Sequence, residues 1–332
     1  MKMFQSCFKY QAPFFANNIN YQLPKPDVGF IKGSNAKKIR VSLWLQHQGN
    51  SKGTVLLQPG RTEPIEKYIE SVHDFYTRGF SVAMFDWQAQ GLSDRLLANP
   101  KKGHIDTFET YDSNYYDVIK QVYNIHCPQP WIAVGHSMGG ALSLSAAYRY
   151  PDLFDALILC APMLSIKASP ILLKIAPYLT QFMRFLGLGG LSFLDVNAQR
   201  LPCDLGFDYS HLTSSKERFE SFIEIIAKAP QLGVSSPTYT WILEALKRIN
   251  QIQQIWDLKT IKIPALLFSP QADMLVDPVV NEQVFNRLPQ GKLIQIKESQ
   301  HELLMERDCY RTIFWETVDE FLKKITYKNS LH

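Results

Sequence analysis

The sequence predicts an α/β fold with a mostly parallel central sheet, flanking helices and one inserted helical cap. Three observations predict it. Short apolar runs at residues 54–57, 80–85, 131–134, 156–160, 265–268 and 293–296 read as strands buried on both faces. Helical patterns at 63–77, 107–125, 138–150 and 278–288 lie between most of them, as βαβ crossovers require. The third is a broken spacing: neighbouring strands mostly lie about 25–45 residues apart, but about one hundred residues separate Cys160 from Ala265.

Taken in order, residues 1–30 are loop-rich, with Pro13, Pro24 and Pro26 among asparagines. Over 38–46, Ile39, Val41, Leu43 and Leu45 alternate with other residues and predict a half-buried strand. The buried strands and their helices follow. In the long gap, Ser169-Pro170 is an N-cap and first-turn pair. It opens an apolar stripe of Ile171, Leu172, Ile175, Leu179, Phe182, Met183 and Leu186 that closes at Gly187. Ser214-Ser215-Lys216-Glu217 resembles a capping box and predicts a second helix toward Ala229. Ser236-Pro237 opens a third, through Trp241 to Ile249. The expected organisation is a core from 1–162 and 251–332, with the cap at 163–250.

Composition bounds the function. Across 332 residues, 46% are hydrophobic and 20% charged, which excludes disordered, collagen-like and coiled-coil classes. The 35 Lys+Arg and 31 Asp+Glu give a net +4 spread along the chain, so no nucleic-acid partner is expected. Five cysteines (Cys7, Cys127, Cys160, Cys203, Cys309) are widely spaced, indicating neither a disulfide framework nor a zinc site. Cys160 reads as core. The N-terminus lacks a signal-peptide pattern and no apolar run reaches the ~18 residues of a membrane span, so the expected location is cytoplasmic. No metal and no cofactor are implied. Gly187-Leu188-Gly189-Gly190 follows a helix rather than a strand, so it is no dinucleotide fingerprint.

The chemistry lies in Gly135-His136-Ser137-Met138-Gly139-Gly140, a Gly-x-Ser-x-Gly motif between an apolar run and a helical pattern. That is the context of a nucleophile elbow, where Ser137 would sit on a tight strand-to-helix turn. Such a serine needs a base and an orienting acid, in the chain order Ser, Asp or Glu, His. Asp273 follows the run 265–268 and His301 follows 293–296, so all three leave one sheet edge. Asp277 competes for the acid role, although its place before Pro278 suits an N-cap. His136, His104 and Asp106 read as structural hydrogen-bonders.

The chain resembles an α/β-hydrolase, and more narrowly the bacterial lysophospholipase and monoacylglycerol-lipase branch. The likeness runs from about Leu43 to the C-terminal helix. Pro59-Gly60-Arg61-Thr62-Glu63, with Lys67-Tyr68, is similar to the family's oxyanion loop. The stretch from Asp86 to Ser93 resembles its Asp-x-Arg-Gly-x-Gly-x-Ser turn, with Gln88-Ala89 in place of Arg-Gly. Gln58-Pro59 stands where many relatives carry His-Gly. Gly103-His104-Ile105-Asp106, with Phe108 and Tyr111, matches a further block; so do Leu212-Thr213 with Ser215 and Arg218, and Pro237-Thr238 with Trp241.

The resemblance implies a serine carboxylic-ester hydrolase acting on single-chain lipids, lysophospholipid or monoacylglycerol, through an acyl-enzyme. Ser137, His301 and Asp273 would be nucleophile, base and orienting acid. The backbone N–H groups of Arg61 and Met138 would form the oxyanion hole. The Arg61 side chain is expected to brace its own loop with Glu63. The cap stripe is expected either to pack on the core or to roof an acyl pocket and touch a membrane surface, with Lys174 and Arg184 toward head groups. The competing readings are a general carboxylesterase, thioesterase, acyltransferase or peptidase on the same triad, and a non-catalytic lipid-binding protein.

Overall fold

The computed structural model describes residues 7–15, 21–47, 49, 51–193, 206–207 and 211–329; Cys203 lies outside them. Nine described strands form one sheet: β1 (Tyr10–Gln11), β2 (Asp27–Lys32), β3 (Lys38–Trp44), β4 (Thr54–Gln58), β5 (Ser81–Phe85), β6 (Trp131–His136), β7 (Ala156–Cys160), β8 (Ala265–Pro270) and β9 (Gly291–Ile296). Their order is β1-β2-β3-β5-β4-β6-β7-β8-β9. The pairings β1·β2, β2·β3 and β3·β5 are antiparallel. Those from β5·β4 to β8·β9 are parallel. The N-terminal stretch expected as loop therefore contributes β1 and β2.

Strands β4 to β8 read as near-continuous apolar runs because both faces are covered, whereas β9, expected to be buried, is an edge strand that is mostly exposed or half-buried. Val55, Leu57, Ile132, Val134, Ile158, Leu266 and Phe268 point into one core layer, beneath α1 (Ile69–Thr77) and α9 (Asp308–Asn329). Their neighbours Leu56, Ala133, Leu157, Leu159 and Leu267 point into the other. That second layer packs against α2 (Glu109–Val118), which continues through a π-helical turn into α3 (Asn124–His126), and against α4 (Met138–Arg149). The helix expected over 63–77 is α1 preceded by a 3-10 turn at Ile65–Tyr68, so Glu63 lies in loop.

Between β7 and β8 come α5 (Pro170–Phe185), α6 (Lys216–Lys228) and α7 (Tyr239–Asn250); α8 (Pro278–Phe285) follows β8. Ser169 caps α5, its Oγ accepting from Leu172 N at 3.3 Å. α6 is capped by Ser215, whose Oγ accepts from Arg218 N; Ser214 instead donates to Glu306. α7 begins later than expected, capped by Thr238 rather than opened by Ser236-Pro237.

The α5 stripe does not pack down on the core, the first of its two expected roles. Ala176 and Thr180 are the buried residues of α5, while Ile171, Ile175, Phe182 and Leu186 are half exposed or more. Small residues let α5 lie close to α7, and the Arg184–Glu244 ion pair at 2.9 Å fixes that contact. The larger apolar side chains are thereby turned outward.

Candidate active site

Ser137 occupies the single position between β6 and α4, with φ 50° and ψ −116°. A non-glycine residue in that region is strained and is held there by its surroundings. Its N–H donates to Cys160 O at 3.0 Å, and its carbonyl accepts from Met163 N at 2.9 Å. The flanking glycines are required by close approach. A Cβ on Gly135 would lie 2.7 Å from Gly139 O, and one on Gly139 would lie 2.3 Å from Gln58 O. The serine is half-buried among fully buried neighbours.

Asp273 and His301 leave the C-terminal ends of β8 and β9, on the same sheet edge as the Ser137 turn at the end of β6. Asp273 is fully buried. Its Oδ2 accepts from His301 Nδ1 at 2.7 Å, and its Oδ1 accepts from Leu275 N (2.7 Å) and Val276 N (3.0 Å). Burial would raise the Asp273 pKa, but the His301 contact and the two backbone donors outweigh it and hold the carboxyl below its usual range. Asp277, the competing acid, caps α8 by accepting from Val279 N at 3.0 Å. Among the described residues no hydrogen bond joins the Ser137 hydroxyl to the His301 ring, and such contacts often tighten only with substrate. The base is tied to the elbow through its backbone: His136 Nε2 donates to His301 O at 3.1 Å, and the two rings lie 4.8 Å apart.

His136 belongs to a buried charge network that sequence reasoning did not assemble. Glu63 Oε2 accepts from Gly60 N (2.5 Å), Tyr68 Oη (2.6 Å) and His136 Nδ1 (2.9 Å). Its Oε1 accepts from Lys67 Nζ at 2.8 Å, and Lys67 also donates to Glu302 at 2.5 Å. Both His136 ring nitrogens face acceptors, a carboxylate and a carbonyl, an arrangement that favours the protonated ring. Burial would lower its pKa; the Glu63 charge and hydrogen bond raise it instead. In turn, burial of Glu63 is outweighed by His136 and Lys67, which hold it well below the carboxylate range. The signal was present in the sequence: Glu63 and Lys67 stand four apart, and Glu302 follows the base.

The network fixes the loop after β4. The turn from Asp86 to Ser93 holds it from the other side. Gln90 Oε1 accepts from Thr62 N at 2.5 Å, and Trp87 Nε1 donates to Pro59 O at 2.8 Å. Thr62 adopts φ 66° and Ala89 φ 64°, values costly for residues with a Cβ. Gly91 is essential in that turn, because a Cβ there would overlap the Asp86 carboxylate. Arg61 does not brace the loop through Glu63. Its Nη1 donates to Ser235 O at 2.7 Å, and its guanidinium lies 5.4 Å from the Trp241 ring. Glu63 is already saturated by other donors. Met138 opens α4, where a first-turn N–H has no intrahelical acceptor.

His104 bridges to the β7–β8 insertion, Nδ1 meeting Thr238 Oγ1 at 2.8 Å and Nε2 meeting Asp106 at 3.1 Å. No cluster of three His, Cys, Asp or Glu side chains is placed to hold a metal among the described residues. No described helix is long and apolar enough to cross a membrane.

A mostly parallel sheet with a strained serine on a strand–helix turn, and an acid–histidine pair on the same edge, defines the α/β-hydrolase class of enzymes. Residues 49–308 match the profile of the family described as serine aminopeptidase, S33 (Hydrolase_4), and the chain belongs to that family. Among curated relatives it is similar to lysophospholipase L2 of Escherichia coli strain K12, 29% identical over 283 residues, 81% of this chain and 80% of that one. It is also similar to probable lysophospholipase L2 of Haemophilus influenzae strain Rd, 26% identical over 88% of this chain and 91% of the relative. The fold resembles the solved monoglyceride lipase of Saccharomyces cerevisiae, with TM-score 0.71 and 18% identity, covering 92% of this chain and 98% of that one.

Proposed function

We propose that the protein is a serine carboxylic-ester hydrolase acting on single-chain lipid esters, lysophospholipid or monoacylglycerol, through an acyl-enzyme. The observation carrying this reading is the 2.7 Å Asp273–His301 pair on the sheet edge that also bears the Ser137 elbow. Similarity to two lysophospholipases over most of the chain supports the substrate class.

In this mechanism Ser137 Oγ attacks the acyl carbonyl while His301 Nε2 takes its proton. Asp273 holds Nδ1–H, fixing the tautomer that leaves Nε2 free to accept. The oxyanion is received by the Arg61 and Met138 backbone N–H groups, the latter at the positive end of α4. His301 returns the proton to the leaving alcohol, and water then releases the fatty acid.

Residues 163–250 serve as the cap in this reading, and the outward apolar face of α5 touches a lipid surface. Tyr178 and Phe185, 78% and 85% exposed, lie on it. Exposed Lys174 lies on the same helix.

The test is fluorophosphonate labelling, which should modify Ser137 alone. A panel of palmitoyl lysophosphatidylcholine, palmitoylglycerol, p-nitrophenyl butyrate, a palmitoyl thioester and an aminoacyl anilide would accompany it. Hydrolysis of the long-chain lipids with the higher kcat/KM is expected. Cleavage of the anilide or the thioester alone would replace the reading, and no labelling would end it.

A further inference from the structure

We propose that the Arg61 guanidinium is the binding site for the phosphate of a lysophospholipid head group, which makes the phospholipid rather than the neutral glyceride the preferred substrate. This rests on the lipid-ester reading above and narrows it.

Arg61 follows Gly60 in the loop whose backbone is assigned to the oxyanion, but its side chain leaves that loop. The guanidinium reaches the β7–β8 insertion, donates one N–H to Ser235 O at 2.7 Å and lies against Trp241. Gly103 leaves the room for it, since a Cβ there would stand 2.9 Å from Nη1. Among the described residues no ion pair includes Arg61. Other enclosed arginines differ: Arg40 pairs with Glu66 and Asp86, and Arg248 pairs with Asp112. Arg95 also lacks a carboxylate, but all its nitrogens donate to backbone carbonyls. Arg61 uses one of five N–H donors in the hydrogen bonds of the described residues, and the residue is half-buried.

A half-buried guanidinium with no anion beside it loses part of its hydration without a counter-charge. Burial pushes the Arg61 pKa down to about 10, with only the Tyr111 hydroxyl opposing it. A phosphate offers the missing charge and two oxygens matched to the guanidinium fork. A glycerol hydroxyl offers neither.

The reach is also right. The path from a lysophospholipid's scissile carbonyl carbon, through ester oxygen, three glycerol carbons and phosphate oxygen to phosphorus, has as many bonds as arginine's path from Cα to Nη. The phosphate of an ester seated at the Arg61 N–H can thus reach the same residue's guanidinium where the two chains run in the same direction. The scissile ester and the anion would be read by one residue, through backbone and side chain.

The experiment compares kcat/KM for palmitoyl lysophosphatidylcholine and palmitoylglycerol, which share acyl chain and ester, in wild type, Arg61→Met and Arg61→Lys. Methionine keeps the backbone N–H and an apolar stem against Trp241. The lysophospholipid-to-glyceride ratio should fall about 10- to 100-fold in Arg61→Met, mainly through KM, and recover in part in Arg61→Lys. Excess inorganic phosphate should inhibit the lysophospholipid reaction of the wild type more than the glyceride reaction. An unmoved ratio, or parallel loss of both activities, would make Arg61 only a strap between loop and insertion. Should Arg61→Met not fold, Arg61→Gln reads the same ratio. Failure of the lipid-ester reading is separate: the wild type would then hydrolyse neither lipid.

Discussion

Replacing Glu63 by glutamine tests whether the buried network is ionic. The side chain keeps its shape but one oxygen becomes an amide NH2. In the native protein both oxygens only accept, Oε1 from Lys67 and Oε2 from Gly60, Tyr68 and His136. Either orientation of the amide therefore sets donor against donor, and His136 loses its counter-charge. Removing one member of a buried ion pair typically costs about 3–5 kcal/mol. At ~2 °C per kcal/mol for a chain of this size, Tm should drop by about 6–10 °C.

The pH dependence carries the sharper information. The His136 pKa is raised above its ordinary value of 6.5. Its contribution to stability is fully present below that value and is lost as pH rises through the folded one. The Glu63 pKa is depressed below 4.5, so its contribution is present above that value and lost as pH falls through the folded one. The Glu63→Gln deficit should thus be largest near pH 5–6 and shrink as pH rises through the raised His136 value. Differential scanning calorimetry from pH 5 to 9 measures this. A Tm change below ~2 °C, or an equal deficit at every pH, would refute an imidazolium at His136.

Three further outcomes are expected. Ser137→Ala should reduce ester hydrolysis by about 10⁴- to 10⁶-fold while circular dichroism stays native; more than a few per cent residual kcat would remove it as nucleophile. Asp273→Asn should lower kcat near 10⁴-fold, whereas Asp277→Asn, which alters only the α8 cap, should mainly lower Tm; the reverse ranking would move the acid. Phe182→Ser with Phe185→Ser should weaken sedimentation with phosphatidylglycerol vesicles while leaving hydrolysis of p-nitrophenyl butyrate intact; unchanged vesicle binding would show that α5 does not touch lipid.

The sheet was legible because a strand covered on both faces must be apolar at nearly every position, and 55–57, 131–134 and 265–268 are. The elbow was legible because its glycines answer to backbone clashes, which leave a mark at fixed spacing. β1 and β2 were missed: β1 is two exposed residues, and β2 is only partly buried, too short a pattern to register. The α5 stripe was legible as a helix, but whether it packs on the core or faces outward was not. Periodicity shows that a helix is two-sided, whereas which side meets a neighbour depends on what that neighbour offers. Here α7 takes the small residues.

By itself, the sequence determined the α/β class, the position of the insertion, the strained serine and the two loops that carry Asp273 and His301, because local clash, burial and chain order govern each. Tertiary structure alone decided that Glu63 turns from Arg61 to His136 and Lys67, and that Arg61 is left without an acid. Those are choices among partners distant in the chain. They turn on which charged groups are driven out of water together, and no residue's own neighbourhood in the sequence encodes that.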